Sequence, residues 1–159
     1  MHYTCKILDF NLPDEYIIKF KKLFKPISTT LEINYPHGWS DSEKKDFKLG
    51  TKINKSTSGG SLSKRKICPE PFSRLTITQN GDALPCCVDW SHKLKVGNIK
   101  NSNLDEIWNG AEANKVRLYH LQNKIPKDSP CFSCSYMQMH PEYETIDGIE
   151  SKLIEDYSK

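Results

Sequence analysis

Apolar and polar positions follow two different rhythms along this chain, and they divide it near residue 67. Residues 3–10, Tyr-Thr-Cys-Lys-Ile-Leu-Asp-Phe, alternate partially and predict a short strand. Asn11 is placed to cap a following helix, with Pro13 near its first turn and Asp14 and Glu15 at its positive end. Ile17, Phe20, Leu23 and Phe24, joined by Ile18, recur at helical spacing, while Lys19, Lys21, Lys22 and Lys25 hold the other face and the last turn. Residues 29–35 alternate again as a strand that Pro36 ends. Strand, helix and strand of this size predict one βαβ unit with parallel strands. Two strands leave unpaired edges, so the unit calls for further strands from this chain, from another chain, or from a larger parallel α/β domain. His37-Gly38-Trp39-Ser40 then turns away from the sheet, with His37 expected as a solvated loop residue.

From Cys68 onward the rhythm is shorter. Cys68-Pro69-Glu70-Pro71 predicts a rigid, extended lead-in to a strand over 73–78, with Leu75 and Ile77 on one face. Asn80-Gly81-Asp82 predicts a hairpin with a type I′ turn. A return strand over 83–88 would place Leu84, Cys86 and Val88 on one face and Ala83, Pro85 and Cys87 on the other. Pro85, lacking a donor, marks that strand as an edge or as interrupted. After a loop through His92 and Gly97-Asn98, residues 103–106 (Asn-Leu-Asp-Glu) read as a capping box that opens a helix carrying Ile107, Trp108 and Ala111. Gly110 divides it from a second helical piece with Val116, Leu118, Tyr119 and Leu121, whose aromatics read as core. Pro126 and Pro130 break the pattern before Cys131-x-x-Cys134. Ile149, Leu153, Ile154 and Tyr157 predict a short amphipathic helix at the C-terminal end. The fold class expected is α+β.

Composition qualifies this picture. Of 159 residues, 36% are hydrophobic and 27% charged, and nine are proline, which suits one domain of ordinary size with long irregular segments. The segments expected are the βαβ unit at 1–39, a polar basic linker at 40–66, the cysteine-bearing region at 67–136, and a tail with a short helix at 137–159. A net charge of +3 is too small to imply nucleic acid. Lys44, Lys45, Lys48, Lys52, Lys55, Lys64, Arg65 and Lys66, interleaved with serines and Gly59-Gly60, read as a solvated linker. No secretory signal and no membrane span is expected, so the default compartment is the cytoplasm, where clustered cysteines are more often metal ligands than disulfides.

Five of the six cysteines fall between Cys68 and Cys134: Cys68, the pair Cys86-Cys87, and Cys131-Phe132-Ser133-Cys134. Thiolates from three separate stretches are what a zinc or iron–sulfur site requires, because soft ligands must converge on a soft or borderline metal. Adjacent strand residues point oppositely, so Cys86 and Cys87 are not expected to reach one centre together. The best four ligands are therefore Cys68, Cys86, Cys131 and Cys134, with Cys5 and Cys87 as spare, buried thiols. Structural zinc is the rival metal, although zinc ribbons present two C-x-x-C knuckles and here a hairpin separates the first pair. A disulfide framework is the alternative without metal. A catalytic thiol would need a histidine beside it, and the spacing of His92, His120 and His140 does not favour one. A thioredoxin-like pair would open a helix after a strand, whereas Cys131 follows a loop.

The combined motif resembles a known module. Cys68-Pro-x-Pro-Phe-x-x-Leu-x-Ile-x-x-Asn-Gly-Asp-x-x-Pro-Cys86-Cys87-x-Asp is followed by Val96-Gly-Asn-Ile99, Leu104-x-Glu-Ile-Trp-Asn109 and Pro130-Cys-x-x-Cys134. This series is similar to the SPASM/twitch domain, the C-terminal auxiliary iron–sulfur module of radical SAM enzymes, over about residues 67–136. The resemblance implies one auxiliary [4Fe–4S] cluster held by Cys68, Cys86, Cys131 and Cys134, and too few cysteines for a second. It also implies that residues 1–39 are similar to the last strand–helix–strand of the partial α/β barrel preceding such modules. The C-x-x-x-C-x-x-C motif that binds the catalytic cluster is absent from the sequence, so this chain alone is not expected to cleave S-adenosylmethionine. The implied role is electron transfer or support of a substrate site beside a radical SAM core domain or partner protein, with a peptide, protein or sugar as substrate. The alternative is a zinc-binding interaction module.

Overall fold

Strand β1 (Thr4–Leu8), helix α1 (Asp14–Phe24) and strand β2 (Thr30–Asn34) form a βαβ unit, with β1 and β2 parallel and Cys5 opposite Leu31. The computed structural model describes residues 1–38, 54–57, 59–140 and 145–158. The helix begins later than expected. Pro13 occupies its N-cap, while Asn11 adopts a left-handed φ of 65° in a turn where the Leu12 N–H donates to Asp9 Oδ1 over 2.8 Å. Asn11 is therefore a turn residue and not the cap, since asparagine tolerates this conformation with little cost. Asp14 and Glu15 lie in the first turn of α1 and Lys21 and Lys22 in the last, each with the sign the helix dipole favours.

The cysteine-bearing region is built from shorter pieces: a one-turn helix α2 (Glu70–Ser73), then β3 (Thr76–Ile77), β4 (Asp82–Leu84) and β5 (Gly97–Asn98) in an antiparallel sheet ordered β3-β4-β5. Three expectations are corrected here. The Cys68-Pro-Glu-Pro run is helical and not extended: Pro69 at ψ −17° turns the chain, and the Arg74 N–H closes onto the Glu70 carbonyl. The hairpin turn has three residues. The Gly81 N–H donates to the Thr78 carbonyl over 2.9 Å, and Gly81 alone in the turn has a positive φ, 85°, so the expected type I′ geometry is replaced by a turn ending in a left-handed glycine. The return strand stops at Leu84, because Pro85 has no N–H to continue the ladder.

Gly97-Asn98, expected as loop, is the third strand. A Cβ on Gly97 would lie 2.9 Å from Ile107 Cγ1, so only glycine admits the close approach of β5 to the next helix. That helix, α3 (Leu104–Trp108), carries the expected capping box: Glu106 N–H donates to Asn103 Oδ1 and Asn103 N–H to Glu106 Oε2. Gly110 then caps α4 (Ala111–Leu121), and α5 (Glu150–Tyr157) ends the chain. Ala83, Leu94, Val96, Ile107, Ala113 and Val116 make the core cluster, with Leu75, Tyr119 and Cys131 packed against it.

Arg117 of α4 is the largest of the fully buried side chains. Its Nε donates to the Pro71 carbonyl over 2.9 Å and its Nη1 to the Trp108 carbonyl and Asn114 Oδ1, while the guanidinium stacks on the rings of Trp108 and Tyr157. One side chain thus ties α2, α3, α4 and α5 together, using the donor fork and flat face that only arginine combines. Tyr157 also meets Phe72 edge-on, its ring centroid 5.7 Å away.

The stretch before Cys68 is not wholly solvated. Arg65 is buried, its Nε donating to Ser63 Oγ and its Nη2 to the His140 carbonyl. Asp147 accepts from the N–H groups of Lys66 and Ile67, fixing the chain just ahead of the first cysteine. Lys44, Lys45, Lys48 and Lys52, with Trp39 and Ser40, lie outside the described residues. His37 is half-buried rather than solvated, its ring 5.0 Å from that of Tyr136, and burial lowers its pKa. No helix among the described residues is long and apolar enough to cross a membrane.

Candidate iron–sulfur centre

Cys68, Cys86, Cys131 and Cys134 line a single cavity of about 110 Å³. Four different devices place them. Cys68 stands immediately before the α2 turn. Cys86 follows Pro85 at the point where β4 has ended, in a segment held by Asp89, whose buried carboxylate accepts from the Leu94 N–H and from Ser91 Oγ, each over 2.8 Å. Cys131 packs on the core cluster, and its N–H donates to Ser129 Oγ. Cys134 closes a turn in which its own N–H reaches the Cys131 carbonyl over 3.3 Å.

The two adjacent cysteines separate as expected, for a different reason. The strand alternation that was to divide them does not exist, since both follow the end of β4. Cys86 is buried and lines the cavity, whereas Cys87 is exposed and donates its thiol to Glu70 Oε2 over 3.8 Å. Cys87 is thus not a buried spare thiol. Burial and the nearby Glu70 raise its pKa, with Arg74 opposing, which is the reverse of what an activated nucleophile needs. Cys5 sits half-buried in β1.

The cavity is a poor solvent for charge. Burial, the largest cause in each case, pushes the thiols of Cys68, Cys86 and Cys134 up and that of Cys131 to about 12. For Cys131 the neighbouring Cys134 adds to the rise, and Ser129 and Tyr119 oppose it. Thiols held neutral in this way become ligands only when a metal's positive charge replaces their protons. Pro71, Leu94, Ile125 and Met137 complete the apolar wall.

Among the described residues, no three or more His, Cys, Asp or Glu side chains are gathered as a single metal ion requires. A tetrahedral zinc with bonds of about 2.3 Å would need its thiolates within roughly 3.8 Å of one another. The four cysteines instead surround a space. Four soft donors spread about an apolar cavity fit an iron–sulfur cluster, which is larger than one ion and prefers thiolate.

Several polar side chains around the cavity carry no sequence signature of their own. Glu70, fully buried and on the cavity wall, meets Arg74 Nε at 3.1 Å and His140 Nε2 at 3.0 Å. The i,i+4 spacing of Glu70 and Arg74 is the one local hint of this group, and nothing local connects it with His140, 70 residues away. His120, on α4, also lines the cavity; burial pushes its pKa down to about 4, and neither ring nitrogen has a hydrogen-bond partner among the described residues. Tyr119, expected only as core, packs on that core and also faces Cys131 and Ser129.

Comparison with known proteins agrees with the chemistry of the donor set. The family model named SPASM, an iron–sulfur cluster-binding domain, matches residues 68–135, beginning at Cys68 and ending just after Cys134. The S-adenosyl-L-methionine-dependent 2-deoxy-scyllo-inosamine dehydrogenase of Niallia circulans is 26% identical over 75 residues, which is 47% of this chain but 30% of that enzyme. The chain therefore matches under a third of the relative's length. No solved structure matches. Residues 68–135 of this chain thus match the SPASM model of iron–sulfur cluster-binding domains.

Proposed function

We propose that Cys68, Cys86, Cys131 and Cys134 hold one [4Fe–4S] cluster, and that the cluster serves as an electron-transfer centre beside a radical SAM core. The observation that carries the reading is that four cysteines from three stretches of chain line one largely apolar cavity. Bound there, the cluster would supply a one-electron redox centre. The surrounding residues bury it, hold its ligands at fixed places and keep the buried Glu70 carboxylate paired with Arg74 and His140. Four protein thiolates would leave no iron open to substrate, which favours electron transfer or structural support over direct substrate binding. A dehydrogenase removes electrons from its substrate, so the similarity to a dehydrogenase favours the electron-transfer role.

The core itself would come from a partner or from another part of a longer enzyme, because the sequence has no C-x-x-x-C-x-x-C motif. The βαβ unit suits such an arrangement. Among the described residues both its strands have an unpaired side, and Leu8, Ile18, Leu23 and Ile27 are each more than half exposed, surface that a larger parallel α/β sheet would cover. The substrate class, whether peptide, protein or sugar, belongs to that larger assembly, and a cytoplasmic setting suits its reduced thiols.

The test is iron, sulfide and zinc content of the full chain reconstituted without oxygen, repeated on Cys86→Ala and Cys87→Ala. About four irons and four sulfides per chain, lost with Cys86→Ala and kept with Cys87→Ala, is the expected result. Stoichiometric zinc without sulfide would overturn it in favour of a structural metal module.

A further inference from the structure

The mechanism above leaves His120 without a task. Its ring is 3% exposed, it lines the cavity with the four cysteines, and both its nitrogens are buried with no hydrogen-bond partner among the described residues. Buried polar atoms are normally paired, and an unpaired one calls for a ligand that completes it. A neutral imidazole carries one N–H donor and one acceptor nitrogen. The cavity it lines also holds the four cysteines, apolar side chains, Tyr136 and Glu70, whose carboxylate is already engaged by Arg74 and His140, so the acceptor that a loaded cavity would add for that N–H is sulfur.

We propose that His120 donates a ring N–H hydrogen bond to a sulfur of the bound cluster and so raises its reduction potential. The inference rests on the cluster reading above. The physical cause is charge: on reduction the cluster gains an electron, much of whose density falls on sulfur. A fixed donor stabilises that state more than the oxidised one, and the low surrounding polarity strengthens the effect. His120 makes no bond to iron in this account, because four thiolates already supply four ligands. It is a tuning residue, carried on the rigid α4 helix that Arg117 anchors one turn away.

The experiment compares wild type, His120→Phe and His120→Gln, each as the full chain reconstituted with ferrous iron and sulfide without oxygen. Iron and sulfide are counted first, and the midpoint potential is then measured by a redox titration followed by electron paramagnetic resonance. The expected result is equal cluster content in all three, a lower potential for His120→Phe, and a potential closer to wild type for His120→Gln, which retains a donor. Equal potentials in wild type and His120→Phe would overturn the inference, as would equal falls in both variants, which would report packing alone. Iron lost from a folded His120→Phe would also overturn it, by making His120 a ligand. If neither variant folds, wild type labelled with ¹⁵N-histidine decides the matter: a weak hyperfine coupling to a ring nitrogen and an exchangeable proton is expected, and its absence would overturn the hydrogen bond. A wild type that takes up no iron and sulfide would instead overturn the cluster reading and this inference with it.

Discussion

The βαβ unit and the cysteine-bearing region reach order by opposite routes. In β1–α1–β2 the elements are regular, with five-residue strands and an 11-residue helix, yet Phe20 is its one buried hydrophobic residue among those described. In the cysteine-bearing region the strands are two or three residues long, and yet Ile67, Leu84, Val88, Leu94, Val96, Ile107, Val116 and Leu121 are all buried. Local periodicity is enough to make secondary structure, but a core needs surfaces that face one another. The first region presents an apolar stripe that nothing described covers; the second folds its short pieces around a cavity and one buried arginine. A unit of the first kind depends on neighbours for stability, whereas the second resembles small domains that supplement a modest core with a metal.

The difference can be broken most severely at the cysteines. Cys131→Ala is expected to abolish cluster uptake and lower the thermal stability of the cysteine-bearing region, leaving the amide exchange of β1 and β2 unchanged. Protection lost in both regions would show that the two fold as one unit. Next comes Arg117→Met, which leaves the Pro71 and Trp108 carbonyls without their donor. A loss of about 3–5 kcal/mol is expected by denaturant titration, since three charge-assisted hydrogen bonds disappear in a buried place.

A somewhat smaller effect should follow pH in the cluster-free protein. The folded pKa of His120, about 4, lies below its ordinary 6.5, so as pH falls the unfolded chain binds the proton first. The contribution of the neutral ring is complete above about pH 7 and is lost between pH 6.5 and 4, in total about 3 kcal/mol. Denaturant titrations at pH 7 and pH 4 should show this drop, and His120→Phe should lack that part of it. In the βαβ unit the expectation is asymmetric. Phe20→Ala should cost about 3 kcal/mol, because Phe20 is buried and packs on Phe24 with ring centroids 5.2 Å apart. Ile18→Lys, at a position 64% exposed, should change the stability of the isolated chain by less than about 0.5 kcal/mol. It should, however, weaken association with a radical SAM core, which a pull-down with purified partner would read. A large loss of stability from Ile18→Lys would show that the stripe is already covered.

Legibility followed the same division. Helix α1, strands β1 and β2 and the capping box of α3 are short-range features, and their residues carry the signal within a few positions. The hairpin was legible in its glycine but not in its form, because whether Asn80-Gly81 makes a two- or three-residue turn depends on which residues pair across it. Strand β5 was invisible: Gly97-Asn98 has neither alternation nor β-branched residues, and becomes a strand only because β4 lies beside it. The cysteine motif was legible as a set, whereas the meeting of Glu70 with His140, of Arg117 with Pro71 and of His120 with the cysteine cavity was not, since each joins residues far apart in sequence. Arg65 and His37 were misread for the same reason, polar residues being taken as solvated until a distant segment is seen to cover them.

The sequence by itself determined the cysteine pattern, the match of residues 68–135 to an iron–sulfur domain model and the positions of the longer elements, because these depend on residue type and spacing over short stretches. Only the tertiary structure decided that Cys86 faces the cavity while Cys87 does not, that His120 lines the same cavity with no hydrogen-bond partner among the described residues, and that Arg117 joins four helices. Each of these depends on which distant segments bury a side chain, and burial is a property of the packed whole that no local pattern encodes.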